Sequence, residues 1–103
     1  MIKTLTTQNF TSRDTSKVNV LNFSNDWCSQ CYMENPIITA AADKYDSKLN
    51  FYTINADSNP DLVEKYDIMT APTIIIEKND HIEYRTTTFL DKTQLDNLLR
   101  YYL

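Results

Sequence analysis

The sequence predicts an α/β fold, with a central mixed sheet of four to five strands and helices on both faces. Two observations carry this. Segments rich in β-branched and apolar residues alternate with helical patterns, as parallel strands joined by crossover helices require. Near the C-terminal end, two such segments are separated only by Asn79-Asp80, which makes a hairpin and adds antiparallel pairing to the same sheet. A chain of 103 residues, 42% of them hydrophobic, suits a single domain, residues 1–103, around one core.

Each element has its own local reason. "IKTL" near the start is a short strand candidate, and the polar stretch "TTQNFTSRDTSK" that follows reads as a loop or weak helix. "VNVLNF" (Val18 to Phe23) reads as a strand buried on at least one face. From Cys28 to about Tyr45, the residues Met33, Ile37, Ala41 and Tyr45 recur at helical spacing and predict the buried stripe of a helix kinked by Pro36. "NFYTINA" (Asn50 to Ala56) is the next strand. Asn59-Pro60-Asp61 supplies an N-cap, a proline at the first helical position and an acid in the first turn, for a helix reaching about Tyr66. "PTIIIEK" (Pro72 to Lys78) is the strongest strand pattern, and "HIEYRTT" alternates as an edge strand does. Asp91-Lys92-Thr93-Gln94 resembles a capping box, followed by the stripe Leu95, Leu98, Leu99 and Tyr102. The chain has no glycine, so its tight turns fall to Asn, Asp and Pro.

Composition excludes several functions. A net charge of −4 without any Lys/Arg cluster argues against nucleic acid or an anionic membrane as partner. No apolar run approaches the roughly 20 residues that cross a bilayer. The polar N-terminus lacks the apolar core of a secretion signal, so a cytoplasmic location is expected, where thiols stay reduced.

The chemistry concentrates in "WCSQC", residues 27–31, which holds the only tryptophan and both cysteines, Cys28 and Cys31. At the start of a helix, residues three apart share a face, so the two sulfurs can bond or separate with little backbone motion. The free N–H groups and partial positive charge of a helix N-terminus favour a thiolate on Cys28. Lowering a thiol pKa from about 8.5 to about 7 takes it from a few per cent to half ionised at neutral pH. Inert burial fits poorly at a strand end beside Trp, Ser and Gln. A zinc site fits poorly as well, because His81 is the one histidine available to complete it, so no metal is expected.

These residues resemble the thioredoxin family. "VNVLNFSNDWCSQC" is similar to the family's buried strand followed by Trp-Cys-Gly-Pro-Cys. Pro36 matches its in-helix proline, and "INADSNPDLVEKYDIMTAPTIII" resembles its run from a central strand, through a helix, to a Pro-Thr pair. The resemblance implies a thioredoxin fold and a protein-disulfide reductase whose redox group is the Cys28–Cys31 disulfide, with no other cofactor. Cys28 would attack a substrate disulfide and Cys31 would resolve the mixed disulfide. Pro72 would be cis, and Ala71 would offer its backbone to an extended substrate chain. Trp27, just ahead of the helix, would shield the disulfide and, with Ala71 and Pro72, bind substrate; the alternative is a plain core residue. Protein disulfides are the expected substrates, a reductase or a low-molecular-weight thiol the electron donor, and the chain is expected to act as a monomer. Two further roles share the fold: a redox-inert protein-binding module, and a glutaredoxin-like or isomerase activity with a different reductant.

Departures from the family pattern are concentrated at the same place. Ser29 and Gln30 stand where the family has Gly-Pro, which restores an amide donor and predicts a more stabilised thiolate and a less reducing couple. Asn22 stands where the family has a buried aspartate, and Thr53 where it has a neighbouring lysine. Asn22 is expected either to slow turnover, since an amide is no general base, or simply to bond backbone or water. Thr88 and Ser24 replace the family's usual groove glycine and loop aromatic, so its partners do not carry over. His81 and the acids Asp57, Asp61, Glu64 and Asp67 are expected to be solvated.

Overall fold

The computed structural model describes residues 1–103. Five strands form one sheet: β1 (Ile2–Thr4), β2 (Val18–Ser24), β3 (Leu49–Asn55), β4 (Thr73–Lys78) and β5 (His81–Thr86). Their spatial order is β1-β3-β2-β4-β5. β3 runs parallel to both β1 and β2, while β4 runs antiparallel to β2 and to β5. Helix α1 (Ser29–Lys44) joins β2 to β3, α2 (Pro60–Lys65) joins β3 to β4, and α3 (Lys92–Arg100) follows β5. The expected mixed sheet, flanked on both faces, is therefore present.

The sheet divides the apolar interior in two. One side packs Val20, Phe51, Ile74 and Ile76 against Ile38 and Ala42 of α1 and Leu95 and Leu99 of α3. The other packs Leu21, Phe23, Ile54 and Ile75 against Leu62 of α2, with Leu5, Tyr66 and Ile68. This is why Ile74, Ile75 and Ile76 are all fully buried: β4 is central and covered on both faces. Each such side chain contributes about 1.5–3 kcal/mol by leaving water.

Turn chemistry follows from the missing glycine. Asp67, Asn79 and Asp80 take positive φ angles of 53°, 52° and 65°, the residue types that tolerate this region best. The Asn79-Asp80 hairpin is as expected, and β5 is an edge strand with an exposed His81. Asp91 and Gln94 form a complete capping box on α3.

Two local expectations need correction. The buried stripe of α1 is Cys31, Glu34, Ile38 and Ala42, with Met33 exposed. Ile37 and Ala41 are only partly buried beside that core. Ile37-Ile38 and Ala40-Ala41-Ala42 make the apolar stripe broad, so its spacing is ambiguous by one position, and a glutamate marked the inner face as outer. Asn59 occupies the N-cap position of α2, but its side chain makes no cap bond. It is buried and instead donates to the Asn55 carbonyl at 2.8 Å and accepts from the Thr7 N–H at 3.0 Å, tying three segments together. Residues 6–17 form the expected loop, with one short 3-10 turn, Phe10–Ser12, and then deliver Arg13 inward.

Arg13 reaches a buried polar network that the sequence did not announce. Its Nε lies 2.8 Å from Glu77 Oε2, which also accepts from Asn19 Nδ2 at 3.0 Å. Glu77 Oε1 accepts from the Tyr66 hydroxyl at 2.6 Å. The guanidinium also stacks over Phe10, 3.9 Å from the ring centroid. This network closes the end of the sheet opposite the cysteines and pins the N-terminal segment across it.

Candidate active site at the start of α1

β2 leaves the sheet at Ser24 and the chain must turn sharply to begin α1. Polar bonds hold that turn. The Ala56 N–H donates to the Ser24 carbonyl at 2.8 Å, the Asp26 N–H to Asp57 Oδ2 at 2.9 Å, and Asn55 Nδ2 to Asp26 Oδ1 at 2.7 Å. The turn ends at Cys28, an extended residue (φ −142°, ψ 100°) that is the N-cap of α1. Its Sγ accepts the Cys31 N–H at 3.1 Å, and its carbonyl accepts the Tyr32 N–H at 3.1 Å. The first sulfur thus occupies the place of a capping oxygen, facing the free amides of the helix.

Cys28 and Cys31 are joined as a disulfide with Cα atoms 5.2 Å apart. Their surroundings differ. Cys28 is half-buried, whereas Cys31 is 8% exposed. An incoming molecule therefore meets Cys28 first.

The other residues singled out from the sequence fall on two sides of the pair. Trp27, Ser29, Gln30 and Ala71 line one surface depression with Cys28, and Asn25, Met69 and Thr70 complete it. Pro72 is buried next to Ala71, and the Ala71–Pro72 peptide bond is cis. The Thr73 hydroxyl donates to the Thr70 carbonyl at 2.6 Å and fixes the turn that presents Ala71. Behind the sulfurs, Asn22, Thr53 and Ser24 line a second cavity with both cysteines. Asn22 is 5% exposed and its Oδ1 has no donor. Asn22 and Thr53 are cross-strand partners, so the pair replaced relative to the family pattern is neutral on both sides.

Trp27 requires a correction. It is 98% exposed, so it neither joins the core nor covers the disulfide. Lying in a short turn with the helix axis starting beyond it, the indole has nothing to pack on within its own chain. Thr88 is exposed and bonds only to Thr86, outside both depressions. Sequence reasoning also missed Glu34, Met69 and Thr70. The last two were legible in principle, since they directly precede Ala71-Pro72. Glu34 was not, because glutamate is among the residues most rarely found fully buried.

Comparison with known proteins agrees with this geometry. The thioredoxin family model, described as "Thioredoxin", matches residues 1–101. The chain belongs to the thioredoxin family. It is similar to the thioredoxin of Staphylococcus saprophyticus, 30% identical over 99 residues that cover 96% of this chain and 95% of that protein. The thioredoxin of Staphylococcus epidermidis is 30% identical over 95 residues, 92% of this chain and 91% of its own. That of Buchnera aphidicola is 32% identical over 90 residues, 87% of this chain and 83% of its own. Membership of the thioredoxin family and the bonded Cys28–Cys31 pair give this chain a thiol–disulfide redox function. No helix of this thioredoxin-family protein is long and apolar enough to cross a membrane.

Proposed function

We propose that the protein reduces disulfides in other proteins by dithiol exchange, in the cytoplasm and as a monomer. The observation that carries this reading is the asymmetry of the pair: a half-buried Cys28 capping a helix, with Cys31 buried behind it. In the reduced form, the Cys31 N–H and the helix N-terminus favour a thiolate on Cys28. That thiolate attacks one sulfur of a substrate disulfide, the other substrate sulfur leaves as thiolate, and a mixed disulfide forms. Cys31 then attacks Cys28 Sγ, the Cys28–substrate bond breaks, and the reduced substrate departs. Ala71 supplies backbone and Trp27 supplies exposed aromatic area to the substrate chain beside Cys28. A reductase or a low-molecular-weight thiol restores the dithiol.

Reduction of insulin driven by dithiothreitol tests this. Wild type should precipitate insulin well above the dithiothreitol background, and Cys28→Ser should fall to that background. Equal activity in both overturns the assignment of Cys28. Background activity in both overturns the reductase and supports a redox-inert binding module on the same fold.

A further inference from the structure

Glu34 is 1% exposed, yet one of its carboxyl oxygens has no hydrogen-bond donor. Oε2 accepts the Leu90 N–H at 2.8 Å, and Oε1 is the orphan. A buried polar atom without a partner is destabilising, and more so if the group is charged. A leucine here would avoid that cost. The residue one helical turn earlier on the same buried face of α1 is Cys31. Side chains of an α-helix tilt toward its N-terminus, so the Glu34 carboxyl leans back over the turn that carries this sulfur.

In the disulfide form Cys31 has no proton to share. Reduction turns it into a thiol, which is a donor, one helical turn from a buried carboxyl oxygen that lacks one. Asn22, the buried polar residue that lines a cavity with Cys31, is an amide and takes no proton. We propose that Glu34 is the proton acceptor for Cys31, and that its unpartnered Oε1 receives the thiol proton when the disulfide closes. This rests on the dithiol exchange described above. The proton passes from Cys31 to Glu34. The resulting Cys31 thiolate attacks Cys28 Sγ and forms the Cys28–Cys31 bond, while the electron pair of the broken Cys28–substrate bond leaves on the substrate thiolate. Glu34 later releases its proton to water or to the departing thiolate.

The surroundings suit the role. Burial raises the Glu34 carboxyl above its ordinary range, opposed in part by the Leu90 N–H, which makes it a stronger proton acceptor than an exposed glutamate. Charged groups on neighbouring elements are engaged elsewhere or solvated. On α3, Asp96 is held by Tyr45, Lys44 and Arg100, Asp91 caps the helix, and Lys92 is exposed. Lys3 on β1 is exposed, and the Met1 amino group pairs with Asp46. On β5, His81 and Glu83 are exposed, and Arg85 bonds the Tyr66 and Asp67 carbonyls. Tyr52 of β3 packs in the cluster on the far side of the sheet. On α1 itself, Cys31 shares the buried face with Glu34.

The test is a carbon-13 NMR titration of the Glu34 carboxyl in the full chain, oxidised and then dithiothreitol-reduced, with the resonance assigned from Glu34→Gln. A shared proton requires the Glu34 pKa to differ between the two states, by about one unit or more for strongly coupled groups. The same pKa in both states overturns the proposal, and so does titration in the range of an exposed glutamate. In stopped-flow measurements, Glu34→Gln should slow resolution of the Cys28 mixed disulfide by about tenfold or more and flatten its pH profile. An unchanged profile, even with altered stability, means a structural role only and refutes the idea. If Glu34→Gln does not fold, the wild-type titration, assigned by through-bond correlation, decides alone. The titration uses no substrate, so it separates failure of this proposal from failure of the reductase reading in the insulin assay.

Discussion

Replacing Arg13 by methionine should destabilise the protein far more than a surface change at that sequence position would. The Arg13 side chain is 6% exposed and that of Glu77 1%, and the ion pair between them is 2.8 Å long. The second partner of the guanidinium, Asp80, is 60% exposed and adds little. Breaking a buried pair from one side costs about 3–5 kcal/mol, because the remaining charge keeps its desolvation penalty. Glu77 would retain the Tyr66 hydroxyl and the Asn19 amide, which places the expected loss at the lower end, about 3 kcal/mol. Against a total stability of about 5–15 kcal/mol this is a large fraction. The pH dependence follows in sign. Burial pushes the Glu77 carboxyl up, but bonds from Arg13, Tyr66 and Asn19 outweigh it and leave the carboxyl below its ordinary range. In wild type, Glu77 therefore stabilises the fold above the unfolded carboxyl pKa, and that contribution is lost as pH falls through the lower folded value. Without Arg13 burial dominates, the carboxyl rises, and protonation relieves the variant. The difference between wild type and Arg13→Met should be largest near neutral pH and shrink in mild acid. Urea denaturation followed by far-ultraviolet circular dichroism at both pH values measures it. A neutral-pH loss below about 1 kcal/mol, or a difference independent of pH, would refute the reasoning. The double variant Arg13→Met/Glu77→Leu should recover most of the loss.

Asn22→Asp places an ionisable group in the cavity that Cys31 faces, so insulin reduction near neutral pH should accelerate; an unchanged rate counts against it. The same variant should lose about 1–3 kcal/mol at neutral pH, since burial raises the new carboxyl, and regain it in acid as that carboxyl is protonated. Exchanging Ser29-Gln30 for Gly-Pro should make the couple more reducing in equilibrium with glutathione; an unchanged or more oxidising value would contradict the effect assigned to this dipeptide. Trp27→Ala should leave stability within about 0.5 kcal/mol, as the side chain touches almost nothing, while raising KM for a protein substrate; an unaltered KM removes Trp27 from the docking surface.

Most of the scaffold was readable because local chemistry and global fold agree. Asp91-Gln94, Pro60 and Asn79-Asp80 punctuate the chain where the structure turns or starts a helix, and the three isoleucines of β4 are buried as their run suggested. The cysteine pair was readable because its spacing is meaningful only on a helix. What was hidden is polar and buried. Glu34 and Glu77 are of a residue type rarely found fully buried, and nothing near them in the sequence marks them as internal. Arg13 and Glu77 are 64 residues apart, and no periodicity in the sequence connects them. Asn59 has the side chain of a helix cap but is recruited by the backbone of two other segments, a choice made by tertiary packing rather than local preference.

The position of the lone tryptophan has a practical spectroscopic consequence. Trp27 is the only indole in the chain and is 98% exposed in the native state, so its emission already starts from a water-like environment and will change little when the protein melts. The same indole sits directly before Cys28, where a docking chain would cover it and shift its fluorescence to the blue. Steady-state emission is thus a built-in gauge of complex formation and a poor gauge of unfolding.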